Sequence, residues 1–259
     1  MPEVMGAANP ARPHAFVARI VRQASGAVLA LSGDLSEREA VNAAERIVTA
    51  GTWASDPLAR PAPPKPFSGL RRWAGTLPSE QAVAAVGMQT PFGVESDEFK
   101  SVSLILEACN GMSSHLFQTV RETLGLAYYA ALRGFQGFST GSMTFLAGTE
   151  ARSLDRVVEL LREEARRLAD KGFSQDEFDA AKKAVLFAMD AEASKPGARA
   201  AASALSEYLG EGFLAPWRAR ALTEARTRDG LRDVLASIFG GGAAVATVSP
   251  EKAQKRAKK

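Results

Sequence analysis

Histidine is nearly absent from this 259-residue chain, with only His14 and His115, and cysteine appears once, as Cys109. Two histidines so far apart exclude an H-x-x-E-H helix pair or any histidine-rich metal site. A single cysteine excludes an intrachain disulfide and a cysteine-based zinc cage, and leaves the redox compartment undetermined. Cys109 sits in the apolar run "SLILEACNGM" and reads as a buried structural thiol rather than a nucleophile. No apolar stretch approaches the roughly 20 residues of a membrane-spanning helix, so the chain reads as soluble. The opening "MPEVMGAANPARPHA" has neither the basic nor the apolar region of a signal peptide; localisation stays open. A phosphate-cradling loop after a strand is also missing. "FGGGAAV" follows a helix and precedes a strand, so it reads as a helix end and turn.

What is present is ordinary for a globular protein, with 46% hydrophobic and 24% charged residues. The formal charge of +3 is concentrated in the tail, where Glu251–Lys259 holds five cations and one anion. The rest carries 27 cations against 28 anions, a nearly neutral body. The tail has no interleaved aromatics, so it reads as a solvated end and no nucleic-acid partner is expected.

The chain divides into a linker-like segment 1–15, a domain 16–249 with a proline-rich connector at 57–66, and a basic tail 250–259. "AVLALSGDLS" reads as a buried strand ending in a turn, and "SEREAVNAAERIV" as a helix with Ser36 and Glu39 spaced as a capping box. The connector "DPLARPAPPKPF", with five prolines, lacks ladder donors and should run extended. "LRRWAG" and "QAVAAVGMQT" read as strands, "SDEFKSVSLILEAC" and "SSHLFQTVRETL" as helices, the second stopped by Gly125. "LAYYAALRGF" and "STGSMTFLAG" form a hairpin across "QGF". From Leu154 the apolar positions 154, 157, 158, 161, 165 and 168 mark one face of a long helix ending at Lys171 and Gly172. Ser174 and Glu177 open another helix, running to about Ala193. Helices over 198–209 and 222–239 and a last strand, "AAVATVS", complete the order. The expectation is an α+β fold, a mixed and mostly antiparallel sheet of about six strands with helices on one face.

Few residues are left to carry chemistry. His115 follows Ser113 and Ser114, yet neighbours on a helix point to different faces and no partner acid is evident in the sequence, so helix capping by Ser113 is the expected role. Glu163 and Glu164 stand among arginines and read as solvated ion pairs. Arg121 offers a planar fork of donors suited to a carbonyl or oxyanion, and Tyr128, seven residues on, adds a hydroxyl; a helix, turn and strand between them can bring both to one end of a sheet. Spacing alone also permits a structural pair.

"GMSSHLFQTVRETLGLAYYA" resembles the signature of the second, non-zinc half of the pitrilysin or insulinase family of zinc peptidases, roughly G-G-G-M-S-S-R-L-F-Q-x-L-R-E-x-x-G-L-A-Y. "LALSGDLSEREAVNAAERI", "ARPAPPKP" and "GFSQDEFDAAKKAVL" are similar to that family's opening strand and helix, connector and later helix, so the resemblance runs from about Phe16 to Ser249. It implies half of a clam shell whose other half carries H-x-x-E-H and the zinc. It also implies that Arg121 and Tyr128 bind the peptide substrate's backbone near the scissile carbonyl, in catalysis as well as binding. This chain would hold no zinc and would not act alone. The partner would be a zinc-bearing half, as a separate subunit or as the front of one longer polypeptide; homo-oligomerisation is left open. The rival implication is a catalytically inactive scaffold or binding subunit of the same fold. Cys109, Asn110 and His115 depart from the signature, which has glycines at the first two places and arginine at the third.

Overall fold

A computed structural model of the chain describes residues 27–48, 62, 64–94, 96–111, 114–123 and 125–251. The linker-like 1–15, most of the connector at 57–66 and the tail beyond 251 lie outside the described residues. Residues up to Pro61 together with Glu192–Pro216 form one compact unit, and Ala62–Ala191 with Trp217–Lys259 the other.

In the first unit, α1 (Glu37–Val48) begins at the expected capping box: the Ser36 N–H donates to Glu39 Oε2 at 2.9 Å, and the Glu39 N–H donates to Ser36 Oγ at 3.4 Å. Its apolar face alone would not hold so short a helix in water.

The second unit holds a five-stranded sheet: β1 (Leu70–Leu77), β2 (Ala82–Thr90), β3 (Ala127–Gln136), β4 (Gly141–Thr149) and β5 (Ala243–Pro250), in the spatial order β1-β5-β2-β4-β3. Only β1 and β5 run parallel; the other three pairings are antiparallel. Strict alternation decides which face is covered. Ala82, Ala84, Val86 and Met88 are buried while Val83, Ala85, Gly87 and Gln89 remain half-exposed, as expected when helices cover one side.

That cover is made by α2 (Val102–Asn110) against β3, and by α4 (Leu154–Lys171) and α8 (Arg228–Phe239), which pack on each other and on β2. Between α2 and β3 lies α3 (His115–Phe117), continued by a π-helical turn, Gln118–Thr123. The apolar stripe on α4 is the expected one: Leu154, Val157, Val158, Leu161, Ala165 and Leu168 are all buried. The chain order also includes α5 (Gln175–Ala193), α6 (Pro196–Tyr208) in the first unit, and α7 (Ala215–Ala225). Pro196 does not merely interrupt; it starts α6, where its missing N–H costs nothing.

Three expectations need correction. The run 27–32 carries no strand, so the described residues hold five strands rather than about six; an apolar run becomes a strand only when a neighbour supplies ladder partners. The helix expected over 222–239 is two, because Thr227 turns extended and its hydroxyl accepts from the Gly230 N–H at 3.1 Å, starting α8 afresh. The cap of α3 is Ser114 rather than Ser113: Ser114 Oγ accepts from the Phe117 N–H at 3.3 Å.

Glu177 does what its spacing promises and more. It accepts from the Ser174 N–H at 2.8 Å and from Arg167 at 3.1 Å. Burial raises its pKa, but Ser174 and Arg167 outweigh burial and hold it below the ordinary 4.5. A carboxylate depressed in the folded state stabilises above its unfolded pKa, and that contribution disappears as pH falls through the folded value. The parent chain is therefore expected to lose stability below about pH 4.5. Glu177→Gln should be flatter there and about 1–3 kcal/mol less stable at neutral pH; urea unfolding across that range measures both.

Candidate functional site

The segment from Asn110 to Leu132 is closed at its base. Asn110 is the last residue of α2, and its carboxamide grips Leu132 on the free edge of β3: Nδ2 donates to the Leu132 carbonyl at 2.9 Å, and the Leu132 N–H donates to Oδ1 at 2.8 Å. A side chain thus makes the two bonds that another strand would have made. Higher up, the Leu126 N–H donates to the Val120 carbonyl at 3.1 Å, and the buried Thr149 hydroxyl donates to the Leu126 carbonyl. These tie the start of β3 to the end of β4.

Within this loop the backbone is irregular at the two sequence-predicted positions. Arg121 lies in the π turn Gln118–Thr123, which inserts an extra residue and rotates the chain beyond it; such turns concentrate at functional sites. Gly125, at φ +59°, provides the left-handed step into β3 that a side chain would resist. Tyr128 is then the extra residue of a β-bulge: Ala127 pairs with Thr149 and Tyr129 with Gly148, leaving Tyr128 without a ladder position. A bulge re-aims a side chain and twists the strand. Tyr128 is 53% exposed, at the end of the sheet where β3 and β2 begin and β4 ends. The neighbouring Tyr129 lies flat across Gly148, where a Cβ would come within 2.3 Å of its ring. Arg121 and Tyr128 therefore belong to one tethered loop at one end of the sheet. Chemically, an exposed phenol there can donate to an oxygen that gains negative charge, and a guanidinium can hold a carbonyl or carboxylate.

A second cluster was not legible. Glu164 lies on α4 among arginines, yet it is buried, and His115 Nδ1 meets its Oε2 at 2.6 Å. Arg167 joins it through Nε and Nη2, both at 2.9 Å. Burial works against the charged guanidinium, but Glu164 and Glu177 outweigh it and hold Arg167 above its ordinary range. Glu163, in contrast, is the solvated partner expected, reaching Arg156 at 3.2 Å with both side chains about half exposed. The signal that could have exposed Glu164 is its place beside Leu160 and Leu161, one step from the apolar stripe.

Among the described residues no three His, Cys, Asp or Glu side chains converge as metal ligands. His115 is engaged by Glu164, and Cys109 is buried with its thiol pKa pushed up by that burial. These side chains do not fit a zinc site. No helix of the described residues is long and apolar enough to cross a membrane.

Comparison with known proteins converges on one family. The family model described as "Peptidase M16 inactive domain" matches residues 10–185. An uncharacterized zinc protease of Streptomyces coelicolor is 30% identical over 159 residues, 58% of this chain and 34% of the relative. One from Rickettsia bellii is 28% identical over 155 residues, 60% of this chain and 36% of the relative. The chain thus spans about a third of the length of these relatives. A peptidase M16 inactive domain from Pseudomonas fluorescens superposes with TM-score 0.72 at 18% identity, covering 84% of this chain and 52% of that one. An inactive peptidase domain from Bordetella parapertussis superposes with TM-score 0.57 at 18% identity, over 70% of this chain and 94% of its own.

Proposed function

Because the chain belongs to the family of peptidase M16 inactive domains, we propose that it is the non-zinc half of a zinc metallopeptidase. In this reading Arg121 and Tyr128 steady the carbonyl oxygen of a bound peptide beside a zinc-bearing half. The observation that supports it most is the exposed phenol of Tyr128 on a bulge, directly after the π turn that bears Arg121. Each irregularity weakens regular pairing, so each fits better with a residue that faces a ligand than with one that only fills the fold.

This chain's own part in the reaction is electrostatic. The Tyr128 hydroxyl donates to the carbonyl oxygen as negative charge develops on it, and its contribution grows toward the transition state. Arg121 holds the peptide backbone in the ground state as well, because a guanidinium fork can engage a neutral carbonyl. The zinc belongs to the other half, which stands either as a separate subunit or as another part of one polypeptide.

Purified without a metal-binding tag, the chain is expected to retain no stoichiometric zinc after dialysis against a mild chelator and to cleave no peptide. Elemental analysis beside a fluorogenic peptide assay checks both. One tightly held zinc per chain, or cleavage by the chain alone, would overturn the reading.

A further inference from the structure

Glu164 is a carboxylate that the polar face of an amphipathic helix does not explain. It is 4% exposed, and both of its oxygens are taken. Oε2 accepts from His115 Nδ1 at 2.6 Å and Arg167 Nε at 2.9 Å, and Oε1 from Arg167 Nη2 at 2.9 Å. Arg167 continues to Glu177, at 3.1 and 3.3 Å, and to the Gly172 carbonyl at 3.3 Å. The two-pronged grip leaves Glu164 one orientation. Two carboxylates share one guanidinium, so a cation at position 115 brings the cluster to neutrality, as a buried cluster requires.

His115 is the one member of this cluster that lies outside α4, α5 and their connection. It is the first residue of α3, and the π turn bearing Arg121 follows within three residues. Leu116 and Val120 bury the other side of this segment. A cavity of about 200 Å³ opens at the same place, lined by His115, Leu116, Thr119, Val120, Leu160 and Glu164 among others. A close-packed interface would fix the spacing of two helices by itself, but a cavity of this size leaves that spacing to whatever polar contact spans it. The span here is the bond from His115 to Glu164. His115 is itself 49% exposed, so replacing it disturbs no core.

We propose that His115 is a positioning residue: through the clamped Glu164 it sets where the π turn, and with it Arg121, stands against α4. The family signature has arginine at this place, also a cation, which accounts for the tolerance of the exchange. The inference rests on the proposed role of Arg121, but the position of the segment can be read separately from the chemistry.

The test uses the full chain carrying His115→Ala and, as the conservative variant, His115→Arg. Hydrogen exchange of the isolated chain reads the anchor. In His115→Ala the amides of residues 116–126 should exchange roughly 10-fold faster while those of β2 and β4 stay unchanged. His115→Arg should restore the parent rates. In a reconstituted peptidase His115→Ala should lower kcat roughly 10-fold by misplacing Arg121, with an unchanged melting temperature, and His115→Arg should restore turnover. Parent-like exchange over 116–126 in His115→Ala would overturn the proposal, as would equal loosening of every strand, which describes a stability effect. Faster exchange confined to 116–126 with unaltered turnover would uphold the anchor and remove Arg121 from the reaction.

Discussion

Tyr128→Phe is expected to fold like the parent chain and to lower the turnover of a reconstituted peptidase by about 100-fold or more. The ring lies on a bulge and outside the core, more than half exposed, so removing one oxygen creates no cavity and leaves no buried group without a partner. The hydroxyl is expected to donate mainly to an oxyanion rather than to the neutral carbonyl. Its loss should then fall on kcat, with KM little changed. Arg121→Ala should lower turnover and raise KM together, since its fork also engages the ground state. Melting temperature measured beside steady-state kinetics separates the two variants. A well-folded Tyr128→Phe that turns over at the parent rate would remove the phenol from the mechanism and favour a scaffold.

Phe145→Ala should do the opposite. Phe145 is fully buried on the covered face of β4, opposite Val86 and Leu132, and its ring stacks on Phe239 of α8 with centroids 5.6 Å apart. It therefore ties the middle of the sheet to the helix that packs on α4. Truncation removes the transfer free energy of the ring and leaves a cavity that the flanking strands cannot close. The expected loss is about 3–5 kcal/mol, a large share of the roughly 5–15 kcal/mol that holds a domain folded. Denaturant unfolding measures it. The folded fraction should keep parent activity, because nothing in the loop from Asn110 to Leu132 loses a bond; an unaltered unfolding midpoint would contradict the placement of Phe145 in the core.

The two variants also mark what the sequence could convey. The stripe on α4 and the alternation of β2 were legible because burial on one face leaves a period of 3.6 or 2 in the chain. Both capping boxes were legible because Ser36 and Ser174 need a glutamate three residues on. The positions of Arg121 and Tyr128 were legible as a motif, but the π turn and the bulge were not, since each depends on how the segment registers against β4. Glu164 was misread for a related reason: its neighbours along the helix are arginines and a solvated Glu163, while the residue that buries it, His115, lies 49 positions away. Periodicity reports which face turns inward and says nothing of which distant side chain meets it. The same limit explains the opening strand, expected from its apolar run over 27–32 and found without a ladder, and the second start at Thr227, where a side-chain cap outweighs continuous helical pattern.

The central claim is that this chain completes the active site of a zinc-bearing half. The most direct measurement is a titration of that half, at fixed concentration, with this chain, following cleavage of a fluorogenic peptide. Turnover should rise from near zero and saturate at a one-to-one ratio, and the same titration with the Tyr128→Phe chain should saturate at that ratio with a plateau about 100-fold lower. A zinc-bearing half that cleaves equally well alone, or that is restored equally by parent and Tyr128→Phe chains, would contradict the account.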